Sequence, residues 1–154
     1  MTVEALVLHA GEGKAVSLRG TGVTYKAAGE RPAGGPTVLE FAVAPGFNTG
    51  DHVHSAIEEI FYVIEGRAQI RVGERLLHIQ PGDCVLVPPG VAHGFGSLEG
   101  GTAKLLLIIS PAGVHEGYFD ELAAILAKPG APDVQAIGEL RARYDTTQVS
   151  PLSA

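Results

Sequence analysis

The chain predicts an all-β domain with a short helical extension at its C-terminus, on three observations. Between Thr37 and about Ser110 it breaks into short runs rich in Val, Ile, Leu, Phe and Tyr, among them TVLEFAVA, EIFYVIEG, RAQIRVG, RLLHIQPGD, CVLVPPG and KLLLIIS. Gly, Pro and Asp separate these runs, the pattern of strands joined by tight turns. After Pro111 the apolar spacing changes from a period of two toward about 3.6, the period of a helix.

Each element follows in turn. Gly22 to Ala27 reads as an edge strand leading into the turn-rich loop Gly29 to Pro36. Arg67 to Val72 alternates, with Ala68, Ile70 and Val72 on one face and Arg67, Gln69 and Arg71 on the other, so that strand has a wet side. Ile60 to Ile64 and Leu105 to Ile109 are apolar on both faces, which predicts a covered outer wall, and a second copy of the chain is the cover expected. Phe119, Leu122, Ala123 and Leu126 fall on one helical face that Pro129-Gly130 ends. A second helix runs from the N-cap Asp133 through Ile137, Leu140 and Tyr144, followed by a polar tail expected to fray. The expected organisation is one domain over 1–154, with a barrel over about 20–111 and helices over about 114–145 packed on it.

Composition narrows the function. The 154 residues carry 17 acidic and 11 basic side chains, a net charge of -6, with no basic run to neutralise phosphates or lipid headgroups, so neither nucleic acid nor membrane is an expected partner. No window approaches the roughly 20 apolar residues of a membrane span. Glu4, His9 and Glu12 interrupt the N-terminal stretch where a signal peptide needs an apolar core, so a cytoplasmic protein is expected. The single cysteine, Cys84, sits in the apolar run Asp83-Cys84-Val85-Leu86-Val87 and reads as a small buried hydrophobe.

The chemistry concentrates in two glycine-bounded segments. In Gly46-Phe47-Asn48-Thr49-Gly50-Asp51-His52-Val53-His54 the two histidines are two apart, so on an extended chain both imidazoles leave the same face and can converge on one ion. Glu59 opens the next strand, and a turn near Ser55 to Glu58 that sends the chain back antiparallel would set its carboxylate opposite the pair, while Glu58 faces away.

From Gly46 through His52, His54 and Glu59 to Gly66 the segment resembles the first cupin motif, G(X)5HXH(X)4E(X)6G. Gly82 through Pro88, Gly90 and His93 resembles the second, G(X)5PXG(X)2H(X)3N, with Ser97 where that family has Asn. The resemblance covers about Val38 to Pro111. It implies a jelly-roll (cupin) barrel in which His52, His54, Glu59 and His93 hold one divalent transition metal ion, Fe, Mn, Ni, Co, Cu or Zn. An ionised Glu on an apolar inner face is costly unless a cation compensates it. By parity with the ligands, Phe61, Val63 and Phe95 are expected to line a substrate pocket. His78 is expected to face outward, and His9 and His115 have no partner at ligand spacing.

Looser features resemble small cupins related to quercetin dioxygenases: the glycines near residue 12, Tyr25-Lys26-Ala27, and Ser110-Pro111-Ala112-Gly113 leading into an aromatic helix. They imply a metal-dependent dioxygenase acting on a small phenolic or enolic molecule of flavonol or polyketide type, with Glu59 as the catalytic base. The apolar pocket residues and the lack of an inward Arg pair agree with such a substrate and disfavour oxalate or a sugar phosphate. The same barrel also serves isomerases, cyclases, lyases and nonenzymatic ligand-binding proteins, and these stay open as alternatives.

Overall fold

The computed structural model describes residues 5–28, 34–113 and 115–150. Eleven strands and two helices are present among them. β1 (Lys14–Leu18), β2 (Thr21–Ala27), β3 (Thr37–Val43), β5 (Glu58–Gly66), β8 (Cys84–Val87) and β10 (Ala103–Ser110) form one sheet in the order β1-β2-β3-β10-β5-β8. β4 (His52–Val53), β6 (Ala68–Val72), β7 (Arg75–Ile79), β9 (His93–Ser97) and β11 (Thr147–Gln148) form the facing sheet in the order β11-β4-β9-β6-β7. Every pairing is antiparallel, and the two sheets enclose the core as a jelly roll.

Alternation decides what each wall buries. On β10, Ala103, Leu105, Leu107 and Ile109 point inward, where Leu105 meets Val63 and Leu107 meets Phe61 across the ladder to β5. Ala68 and Ile70 on β6 are fully buried while Gln69 and Arg71 reach solvent, as the alternation predicts. The outer face of the larger sheet is itself apolar, with Tyr62, Ile64 and Leu86 44%, 37% and 53% exposed. Cys84 belongs to that outer face, opposite Tyr62, and is exposed and free, not buried. Its apolar run forms an edge strand that buries Val87 and turns Cys84 and Leu86 outward.

Two further expectations are corrected. The sheet starts at Lys14, so β2 is an interior strand and β1 is the edge. Part of the expected loop, residues 29–33, lies outside the described residues. The polar tail does not fray up to residue 150, because β11 pairs with β4 and Thr146 is buried. Polar side chains hold it: Arg141 donates to Gln148, and the Ser150 hydroxyl accepts from Asp51 N.

α1 (Tyr118–Leu126) and α2 (Val134–Arg143) lie over the open end of the barrel. Phe119 of α1 packs edge-on against Phe41 and Tyr25 at centroid distances of 5.4 and 6.4 Å, welding the helix to β3 and β2. Arg19 ties down the end of α1 and the turn after it, donating to Leu126 O at 2.9 Å and Gly130 O at 2.8 Å. Asp133 caps α2 by accepting from Ala136 N at 2.9 Å.

Candidate metal centre

Four side chains meet at the mouth of the barrel. His52 and His54 come from the β4 segment, His93 from β9 beside it, and Glu59 from β5 in the facing sheet. β4 and β5 therefore do not form the expected hairpin. The chain crosses between sheets at Ser55 to Ile57, and the carboxylate reaches the imidazoles across the barrel. His52 pairs directly with His93, and one ligand atom from each of the four residues lies within 4.8 Å of all the others. Glu59 Oε2 is 3.0 Å from His93 Nε2, and Oε1 is 3.4 Å from His54 Nε2. All four side chains are buried, whereas Glu58 is partly exposed.

Backbone carbonyls set the direction of each ring. His52 Nδ1 donates to Gly50 O at 3.0 Å, His54 Nδ1 to Asp145 O at 2.8 Å, and His93 Nδ1 to Val91 O at 2.9 Å. A carbonyl only accepts, so each Nδ1 carries a proton and each ring turns its Nε2 toward the cluster, where it offers a lone pair once that nitrogen carries no proton. Lone pairs facing a carboxylate repel unless a proton or a cation lies between them. His54 Nε2 is buried with Glu59 Oε1 3.4 Å away and no hydrogen bond of good geometry, a placement that suits a metal-ligating nitrogen. This donor set of three imidazoles and a carboxylate fits a divalent transition metal.

Electrostatics agree. Burial, reinforced by the neighbouring His93, pushes His52 down to about 3. His54 moves the other way: burial opposes its proton, but the Glu59 carboxylate beside it outweighs burial. Burial would raise the Glu59 carboxyl, but the His54 and His93 imidazoles beside it overcome that and hold the group far below the carboxylate range.

The loop carrying the first histidine pair is pressed onto β9. Thr49 N donates to Phe95 O at 3.0 Å and Ser97 N to Phe47 O at 2.8 Å. This approach needs glycine, since a Cβ on Gly94 would stand 2.5 Å from Gly50 O. Ser97, which replaces the motif's Asn, accepts from Gly46 N at 2.8 Å and so ties the end of the second motif to the start of the first. Gly94→Ala is expected to push Gly50 and His52 outward and weaken metal affinity about tenfold, read by competition with a chromogenic chelator; unchanged affinity would show that the loop tolerates the shift.

The C-terminal segment holds the cluster from the other side. Asp145 accepts through its carboxylate from Ser55 N at 3.0 Å, Ala56 N at 2.8 Å and the Ser55 hydroxyl, and its backbone oxygen fixes His54. Burial would raise the Asp145 carboxyl, but these hydrogen bonds lower it.

A cavity of about 220 Å³ opens from the cluster beneath the two helices. His52, His54 and Glu59 form its floor, Phe95 one wall, and Phe119, Leu122 and Ile137 of the helices its roof. Of the three expected pocket residues only Phe95 lines it. Phe61 and Val63 point inward as parity requires, but they lie deeper in the barrel, where Phe61 packs on Phe95 at 5.2 Å. His78 is exposed, as expected. His115 is buried in the cavity wall, its ring 5.5 Å from His54 and stacked on Tyr118 at 4.4 Å, and burial lowers it to about 4. It lies far along the chain from the motifs, and no spacing signal marks it. Arg141 is also buried and lines the cavity, a single inward arginine and not the pair whose lack the sequence predicts.

Comparison with known proteins agrees with this architecture. Residues 39–109 match the family described as Cupin domain. An uncharacterized protein of Methanocaldococcus jannaschii is 29% identical over 80 residues, 52% of this chain and 64% of that protein. The chain spans less than two thirds of the length of the curated relatives it matches. Among solved structures, the polyketide cyclase RemF of Streptomyces resistomycificus superposes with a TM-score of 0.61 at 26% identity, over 70% of this chain and 80% of that one. KdgF of Halomonas sp. superposes with a TM-score of 0.61 at 18% identity, over 70% of this chain and 94% of that one, a likeness of fold alone. With both motifs in place at the mouth of a jelly roll, residues 39–109 are a cupin domain.

Proposed function

We propose that this protein is a metal-dependent enzyme acting on a small phenolic or enolic molecule, with His52, His54, Glu59 and His93 as ligands and Glu59 also as base. One observation supports this most: a buried carboxylate is wedged against imidazole nitrogens whose other ring atoms are fixed as donors, at the floor of a largely apolar cavity. A divalent ion bound there supplies Lewis acidity and, if redox-active, O2 chemistry. The chain's own residues do the rest. Phe95, Phe119 and Leu122 orient a flat apolar substrate and exclude water, and Glu59 removes the hydroxyl or α-carbon proton to leave an enolate or phenolate.

Dioxygenation of that anion is the first reading. Cyclisation is the second, favoured by the likeness to a polyketide cyclase. Metal analysis of protein purified without added ions, followed by an oxygen-electrode screen of flavonols and related phenols, tests both. Substrate-dependent O2 uptake supports dioxygenation, turnover without O2 uptake supports cyclisation, isomerisation or lysis, and no turnover with the native metal supports a nonenzymatic binding protein.

The apolar outer face of the larger sheet supports a homodimer. A chain of 15.9 kDa is expected to elute at twice that mass in light-scattering chromatography, and Leu86→Lys is expected to return it to a monomer. A monomeric wild type would remove the dimer. Among the described residues no helix is long and apolar enough to cross a membrane. The single free cysteine suits a reducing cytoplasm.

A further inference from the structure

Among the described residues Arg141 is the one cavity-lining arginine, and the fold leaves its charge unanswered. It is 5% exposed, and none of the ion pairs among the described residues includes it. Its three hydrogen-bond acceptors are all uncharged: Nε donates to the Tyr118 hydroxyl at 3.2 Å, Nη2 to Thr49 O at 2.6 Å, and Nη1 to the Gln148 side-chain oxygen. A guanidinium has five N–H groups, so one on each Nη is left unengaged. The single carboxylate on the cavity floor, Glu59, is already committed to His54 and His93.

A buried cation with neutral partners is costly, and an anion brought in by a ligand removes that cost. The remaining wall is apolar, with Phe95, Phe119 and Leu122 facing the same space. We propose that Arg141 is the anion anchor of this cavity, so that the substrate is a carboxylate-bearing aromatic or enolic molecule whose acid group sits on Arg141 while its reacting oxygen lies at the His/Glu cluster. This rests on the reading of the cavity as a substrate site and narrows its substrate class. It also gives the C-terminal extension a role in selectivity, because Arg141 and Tyr118 both come from the helices over the barrel mouth.

Cinnamate and its neutral amide, cinnamide, are probes of equal shape that differ in charge. They are titrated calorimetrically into metal-free and zinc-loaded protein. Metal-free wild type is expected to bind cinnamate at least about tenfold more tightly than cinnamide, and Arg141→Gln to bring the two within about twofold while leaving the amide unchanged. Arg141→Lys is expected to keep part of the preference. A purely structural arginine would not move the acid-to-amide ratio. If Arg141→Gln fails to fold, a shift of the wild-type Arg141 Nε–H resonance on adding cinnamate, absent with cinnamide, supports the anchor, and no shift overturns it. Equal binding of the two probes, no cinnamate binding at millimolar concentration, or a preference retained in Arg141→Gln each overturns it. A preference that appears only with zinc and persists in Arg141→Gln places the anion on the metal, which sinks the anchor and leaves the metal site standing. An acid preference in protein that takes up no metal leaves the anchor standing and sinks the metal reading.

Discussion

His54→Ala is expected to empty the centre. Metal per chain should fall from near one to below about a tenth after dialysis, because even a hydrogen-bond partner one step removed from a ligand costs about 10–100-fold in affinity and a ligand costs at least the upper end of that range. His54 is 1% exposed and held by Asp145 O at 2.8 Å, and its Nε2 faces the cluster without a hydrogen-bond partner. Truncation leaves Glu59 Oε1 without its neighbour and the carboxylate leaning on His93 alone. The exposed His78→Ala is the control and should keep its metal. Elemental analysis decides, and unchanged metal in His54→Ala would remove this residue from the ligand set.

The site was legible in the sequence because its determinants are local. A two-residue spacing puts His52 and His54 on one face, and the glycines around them mark turns that only a few backbones satisfy. Strand alternation likewise placed Phe95 at the site and Ala68 and Ile70 in the core. Parity gives a side, however, and not a depth, and that is why Phe61 and Val63 were expected in a wall they lie beneath. Cys84 shows a related limit: an apolar run does not reveal whether it forms a central strand or an edge whose outer face meets water. His115, Arg141 and Asp145 were out of reach for a different reason. Their roles depend on the return of the C-terminal segment to β4, a pairing made by polar residues with no hydrophobic period to announce it. The cavity is built half from the barrel and half from that segment, and only the first half has a sequence pattern.

The pH dependence of stability should expose the charge balance at Glu59. In metal-free protein His52 and His115 stay neutral down to about 3 and about 4, while each takes a proton near 6.5 when unfolded. Below about 6.5 the unfolded chain therefore binds more protons than the fold, and stability rises with pH. His54 has its folded value raised, so its contribution is full below about 6.5 and is lost as pH climbs through that raised value. Glu59, held low, contributes above about 4.3 and loses that contribution as acid protonates it. Together these groups put the metal-free stability maximum near pH 6.5 with a decline on the alkaline side. A bound ion must displace the His54 proton, so its affinity should improve up to tenfold per pH unit until that proton is gone, worth about 1.4 kcal/mol per unit. The thermal shift produced by zinc is thus expected to grow from pH 6 to pH 8 by a few degrees in Tm. Glu59→Gln removes the charge that raises His54, so the alkaline decline should vanish, and any turnover found should drop by about 10²–10⁴ with the loss of the base. Scanning calorimetry with and without zinc at pH 5, 6.5 and 8 measures each part. A zinc shift that stays flat across this range, or an alkaline decline that survives Glu59→Gln, would mean that the carboxylate does not control the proton on His54.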